Sequence, residues 1–293
     1  MSFKSLSHEE AVQKIINLED LPTLPAVAQR VIALAQSENV DFKELKKIII
    51  TDPPLTARVL RVANSSFYGR RLPARTVEDA LVTLGIHNLL AICNTIGILK
   101  SFDIWQTFNF SRAELWRHSL ATAFLAKSLE FRKMLNLEQS PDLFLCGLVH
   151  NIGWIIYDHL FSPILAAALT TAREVLEWTL EIERSLMGIN HAEAGAIFLR
   201  KWGLPEDVCE VVQYHHNPNQ AGELASFSGI LQIAAALSPH RFALDLEFDR
   251  VCDKVPHFLE NTEGNAALLE MHERYDTHIR QAGVMADLLL EWL

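Results

Sequence analysis

Apolar positions recur every three or four residues along most of the chain, and period-2 alternation over a useful length is absent. This pattern predicts helices and no sheet. Val27, Val31 and Leu34 form one stripe after Leu21-Pro22-Thr23-Leu24-Pro25. Asp41 with Glu44 three residues on reads as a capping box ahead of Leu45, Ile48 and Ile49. Asp52 followed by Pro53 reads as an N-cap with proline at the first helical position, leading into Leu55, Val59 and Val62. Thr76 with Asp79 opens another helix, and Gly85 supplies its stop.

The second half continues in the same way. Residues 112–132 carry His118, Thr122, Leu125 and Leu129 on one stripe. Ser140-Pro141 opens a helix predicted over 142–160, which contains His150 and Asn151. Asn190 with Glu193 caps a helix that begins at His191 and ends at Trp202-Gly203. Pro205 opens the next helix, and Asn217-Pro218 closes it directly after His215-His216. Residues 240–265 are richer in charge and weaker in pattern, and they separate a helical extension over 266–293. The expectation is an all-α, compact multi-helix bundle spanning 1–240, divided near residue 105, with the extension at 241–293. The apolar end of that extension (Leu288, Leu289, Leu290, Trp292, Leu293) is expected to dock on the chain's own body.

Composition narrows the classes. A chain of 293 residues with 49% hydrophobic and 21% charged positions is an ordinary globular one. A net charge of −10 argues against general nucleic-acid binding, which needs basic surface to neutralise phosphate. The N-terminus turns acidic at once and lacks a signal peptide's apolar stretch, and no uninterrupted apolar run approaches the roughly 20 residues of a membrane span. A cytoplasmic protein without a membrane span is expected. Cys93, Cys146, Cys209 and Cys252 are dispersed and contain no CxxC pair, so reduced, buried thiols are the simple reading.

Two sets of residues carry candidate chemistry. His118, His150, His191, His215 and His216 are distributed over four predicted helices, and imidazoles projecting inward from several helices are how a bundle builds a metal site. His191 stands in a first helical turn, where the dipole favours the neutral, ligating ring. Arg58, Arg61, Arg70, Arg71 and Arg75 cluster in an otherwise acidic chain, interleaved with Asn64, Ser65, Ser66 and Tyr68. That segment reads either as a site for an anion, nucleotide or acidic partner, or as a solvated helix face. Asn64-Ser65-Ser66 also reads as local side-chain-to-backbone bonding that ends the helix and sets the turn. No GxSxG elbow, P-loop or GxGxxG is present.

Several of these stretches occur together in one known family. Leu21-Pro22-Thr23-Leu24-Pro25, the run from Asp52-Pro53-Pro54-Leu55 to Ala63-Asn64-Ser65-Ser66-Phe67-Tyr68, and Ala80-Leu81-Val82-Thr83-Leu84-Gly85 resemble the N-terminal signature of HDOD domains. Gly147-Leu148-Val149-His150-Asn151-Ile152-Gly153, Asn190-His191-Ala192-Glu193-Ala194-Gly195, Trp202-Gly203-Leu204-Pro205 and His215-His216 are similar to the later ones. The resemblance covers roughly residues 15–240 and implies an all-α fold of the HD phosphohydrolase superfamily. It aligns His118, His150, His191, His215 and His216 with metal-ligand histidines of catalytic relatives. Asn151 falls on their bridging Asp, Ala235 on a late Asp, and Trp154 on a Lys of the relatives that cleave cyclic dinucleotides.

The resemblance thus implies a bacterial signalling or regulatory module with a degenerate metal site and no catalysis. Its partners would be signalling proteins (a sensor kinase, a response regulator or cyclic-dinucleotide enzymes) or a small anionic or nucleotide ligand. No cofactor is required on this reading, though the imidazoles could hold one divalent Zn, Fe or Mn ion. Two alternatives stand beside it. One is a residual metal-dependent phosphohydrolase acting on phosphomonoesters or cyclic dinucleotides through the remaining histidines; the other is a sensor that binds without turnover.

Overall fold

The computed structural model describes residues 5–19, 22, 25–35, 41–65, 68–69, 72–105, 109–127, 141–175, 180–238 and 264–290, with backbone alone at 35, 171–175 and 264–275. Every regular element among them is helical, as the periodicity predicts. The chain divides into two units, one formed by residues 1–21 and 106–283, the other by 22–105 and 284–293. The first helix groups with the later residues rather than with those that follow it. That helix, α1 (His8–Ile16), is closed by a reciprocal capping box between Ser7 and Glu10 that the hydrophobic pattern does not reveal.

Residues 22–105 hold α2 (Ala26–Ala35), α3 (Phe42–Ile50), α4 (Pro53–Ala63), α5 (Val77–Leu84) and α6 (Ile86–Ser101). The four others pack on α6, where Leu89 to Leu99 are all buried. Gly97 brings α6 against α2: a Cβ added there would lie 2.3 Å from the Ala28 Cβ. Asp52 and Thr76 cap their helices as expected. Asp41 differs, because its side chain accepts from the Lys43 N–H, one residue earlier than a capping box would place it. Gly85, at φ +74, both ends α5 and begins α6, turning the chain by 113°. A β-carbon would strain that backbone.

The larger unit holds α1 together with α7 (Arg112–Ala126), α8 (Leu143–Val149), α9 (Ile152–Leu160), α10 (Ser162–Val175), α11 (Leu180–Met187), α12 (His191–Lys201), α13 (Glu206–Gln213) and α14 (Ala225–Leu237). The helix expected over 142–160 is interrupted for two residues at His150 and Asn151, and Asp142 caps its start by accepting from the Leu145 N–H. Ser140 lies outside the described residues. Leu143–Leu160 taken together is long and apolar enough to cross a membrane by composition alone, yet 89% of it is buried inside the protein. That is the setting of a core helix.

The closest crossings in this unit are made by glycines. Gly147 abuts the backbone of Thr122 and Ala123 in α7, and Gly153 abuts His191 in α12. The first helix is tied to α12 by the Lys201 ammonium, which donates to the carbonyls of Ile16 and Leu18, and by a 2.7 Å His8–Glu193 contact.

The C-terminal helix α15 (Gly264–Leu290) buries Ala282, Met285, Ala286 and Leu289 at helical spacing, whereas Leu288 and Leu290 of the expected apolar end are half-buried. Trp292 and Leu293 lie outside the described residues. Cys93, Cys146 and Cys209 are free and buried, and burial pushes all three thiols upward, away from nucleophilic use. Cys252 is outside the described residues.

Candidate metal centre

The site grows from the start of α12. Asn190 caps the helix by accepting from the Glu193 N–H at 2.9 Å. Glu193 does not return that bond as a capping box would; its carboxylate meets His8 instead. The backbone N–H of His191 is taken by Glu183 of α11, whose Oε2 accepts it at 2.5 Å. The other oxygen, Oε1, accepts from His191 Nδ1 at 2.8 Å. Tyr157 of α9 closes the arrangement, donating to the Ile189 carbonyl at 2.6 Å with its hydroxyl 3.1 Å from Glu183 Oε2. Glu183 and Tyr157 are fully buried. Sequence reading missed both, because nothing local marks a glutamate eight residues ahead of a histidine as its partner.

Two further rings are fixed by the same device. His150 Nδ1 donates to the Gly147 carbonyl at 2.8 Å, and His215 Nδ1 donates to the Val212 carbonyl at 2.6 Å. A carbonyl oxygen only accepts, so the proton sits on Nδ1 and the lone pair on Nε2. Burial, with the neighbouring His191, pushes His215 down to about 3. Burial and the rings of His118 and His215 push His150 well below the usual imidazole range. His216 is held low by burial and by His215 and His191. These three rings are neutral at physiological pH, which is the ligating form.

The five predicted histidines form a continuous chain of rings. Centroids are 5.2 Å apart for His118–His150, 5.3 Å for His150–His215, 5.6 Å for His191–His215, 4.9 Å for His191–His216 and 4.0 Å for His215–His216. Their donor atoms do not all converge. Among the described residues, one group brings its nitrogens within 4.8 Å of one another: His191, His215 and His216. His118 and His150 stand beside this group. His150 Nε2 is buried and has no hydrogen-bond partner.

Three imidazoles with free or releasable Nε2 atoms fit one borderline ion, for which Zn–N distances are about 2.0–2.1 Å. They do not fit a pair of hard cations, which need bridging carboxylates. Asn151 sits at the helix break, 7% exposed, and offers an amide. Ala235 lies on α14 and offers a methyl group. The Trp154 indole is buried and tilted 33° over the His191 ring at 5.7 Å, so an apolar wall stands where the resemblance aligns a lysine.

The arginine segment belongs to the other unit. There Asn64 holds Ala74 from both sides: its Nδ2 donates to the Ala74 carbonyl at 2.9 Å and its Oδ1 accepts from the Ala74 N–H at 2.6 Å. The expected side-chain-to-backbone bonding is therefore made by Asn64, but across ten residues rather than locally. The Arg75 N–H donates to Asp79. Arg58 Nη1 is buried without a partner, and Arg61 lies three residues on along α4. Arg70 and Arg71 fall outside the described residues, as do Ser66 and Phe67.

The chain has counterparts among known proteins in sequence and in fold. The HDOD domain family profile matches residues 21–218. A protein of Treponema pallidum (strain Nichols) is 24% identical over 208 residues, covering 70% of this chain and 39% of that protein, so the chain spans about two fifths of that relative's length. An HDOD domain protein of unknown function from Geobacter sulfurreducens shares the fold at TM-score 0.75 and 22% identity, over 95% of this chain and 96% of that one. A candidate phosphohydrolase of Shewanella amazonensis SB2B matches at TM-score 0.71 and 23% identity, over 95% and 97%. A candidate signal transduction protein of Marinobacter aquaeolei VT8 matches at TM-score 0.71 and 21% identity, over 96% and 64%. Helical architecture, ordered signatures and a family match over most of the chain agree: this protein belongs to the HDOD domain family.

Proposed function

We propose that the protein is a bacterial, cytoplasmic signal-transduction module that has kept the histidine core of the HD fold and does not catalyse hydrolysis. One observation carries the reading. The carboxylate that touches the imidazole cluster, Glu183, lies behind His191 with its oxygens engaged by His191 and Tyr157, while position 151 offers an amide. Metal-assisted phosphate hydrolysis by a metal pair needs anions that offset the charge of both ions. Among the described residues, this cluster presents imidazoles alone.

His191, His215 and His216 would hold at most a single Zn²⁺, Fe²⁺ or Mn²⁺, which when bound would supply Lewis acidity. The regulatory role requires no cofactor. It works through contact with a signalling protein (a sensor kinase, a response regulator or a cyclic-dinucleotide enzyme) or through a small anion or nucleotide at the segment bearing Arg58, Arg61 and Arg75. The name of the Marinobacter relative supports a signalling context.

A second reading, residual hydrolysis of phosphomonoesters or cyclic dinucleotides, draws on the preserved three-histidine group and on the name of the Shewanella relative. Metal content of the purified protein, with hydrolysis assayed under added Mn²⁺, Fe²⁺ or Zn²⁺, separates the two. At most one ion and no turnover are expected. Turnover that is lost in a folded His191→Ala variant would overturn the regulatory reading.

A further inference from the structure

We infer that Glu183 is a positioning residue for the histidine cluster: by accepting from His191 Nδ1, it fixes that ring's tautomer and aims Nε2 at His215 and His216. This rests on the single-ion reading of the site given above. The argument starts from the ring itself. The two nitrogens of an imidazole point to opposite sides, so anchoring Nδ1 decides where Nε2 goes. Glu183 takes the His191 backbone N–H on Oε2 (2.5 Å), and His191 Nδ1 lies against both carboxylate oxygens, 2.8 Å from Oε1 and 3.0 Å from Oε2, which holds both the position and the rotation of the ring. On the far side, His191 Nε2 lies 3.0 Å from His216 Nε2, within the group whose nitrogens converge.

Charge points the same way. A carboxylate hydrogen-bonded behind a ligating imidazole makes the ring a stronger base and partly offsets a cation bound through it. With Asn151 in place of an acid, Glu183 brings negative charge to the cluster through a histidine rather than through an oxygen ligand. The carboxylate is engaged by one backbone N–H and one ring nitrogen, with the Tyr157 hydroxyl 3.1 Å away. A carboxylate whose role was only to cap α12 would need the backbone N–H alone. The second bond, to the ring at 2.8 Å, is the feature that a cap does not require.

The test uses the full chain. Long-range ¹⁵N–¹H spectra of the histidine side chains report the tautomer of His191 in metal-free protein. Zn²⁺ titration against a chelating competitor reports affinity, and thermal melting reports folding. Wild type is expected to show the Nδ1–H tautomer. Glu183→Gln should lose that fixed tautomer and weaken Zn²⁺ binding by about 10–100-fold. Glu183→Asp, which keeps the charge, should recover part of the loss, a recovery that a simple packing defect would not give. If Glu183→Gln fails to fold, Tyr157→Phe decides: a smaller loss in the same direction supports the inference, and unchanged affinity overturns it. A folded Glu183→Gln protein that binds Zn²⁺ like wild type also overturns it. If wild type binds no Zn²⁺, the single-ion reading fails by itself, and the tautomer still rules on Glu183: an Nε2–H ring in wild type overturns the inference, an Nδ1–H ring lost in Glu183→Gln supports it.

Discussion

Nε2 of His191 and Nε2 of His216 lie 3.0 Å apart, a separation at which one nitrogen must donate and the other accept. Since Glu183 holds the proton of His191 on Nδ1, the donor is His216. Coordination through both Nε2 atoms therefore requires His216 to give up that proton. Zn²⁺ binding is expected to move the His216 side-chain ¹⁵N resonances more than those of His118. In competition titrations, His216→Ala should lower affinity by about 10-fold or more, whereas His118→Ala should leave it unchanged. Equal losses in the two variants would place the ion elsewhere along the chain of rings.

Asn151→Asp is expected to strengthen binding of one ion by roughly 10-fold without admitting a second, because Ala235 still provides no oxygen. The introduced carboxylate is nearly buried, so it should also lower the melting temperature of the ion-free protein, and added Mn²⁺ or Zn²⁺ should recover the loss. Calorimetric stoichiometry and melting curves measured on the same samples check both halves.

Stability should fall as the solution is acidified from neutrality. His150, His215 and His216 have folded-state values below the ordinary histidine value, with His215 at about 3. Above pH ~6.5 the rings are neutral in both the folded and unfolded chain, and their contribution is fully present. As pH drops below that point the unfolded chain takes up protons that the native core refuses. Each histidine then removes about 1.4 kcal/mol per pH unit until the native ring also titrates or the core opens. Urea midpoints measured between about pH 7 and pH 5 should show this decline. The decline should be flatter in His215→Gln; equal slopes would remove His215 from the account.

Asn64→Ala should cost about 2 kcal/mol, because it removes two hydrogen bonds and leaves the Ala74 N–H unpaired at a buried residue. Hydrogen exchange at Ala74 should accelerate. If an anionic ligand uses the segment between Asn64 and Arg75, its affinity should fall in the same variant, as seen by titration.

The features legible in the sequence are those whose physics is local. Asp52, Thr76 and Asn190 cap helices within three residues of themselves, and Gly85 turns the chain by its own backbone freedom. His118 is legible for a similar reason, from its stripe with Leu125, and His191 from its place in a first helical turn, while the grouping of all five rests on the family resemblance. The break at His150 and Asn151 was hidden because the run Leu148-Val149-His150-Asn151-Ile152 contains no glycine or proline and keeps an apolar rhythm. Glu183 was hidden because its partners, His191 and Tyr157, are brought to it by tertiary packing. The narrowing from five rings to three converging ones follows from how α12 and the residues after α13 approach each other, which no spacing rule contains.

Gly153 carries no side chain where α9 meets α12, and a β-carbon added there would lie 2.0 Å from the His191 carbonyl oxygen. That contact is between backbones, so no neighbouring side chain can yield to make room. The frame of the histidine cluster thus depends at this crossing on a residue that does no chemistry. Any larger residue at 153 would displace the His191 backbone and its ring with it, so the cluster can be lost without touching a histidine.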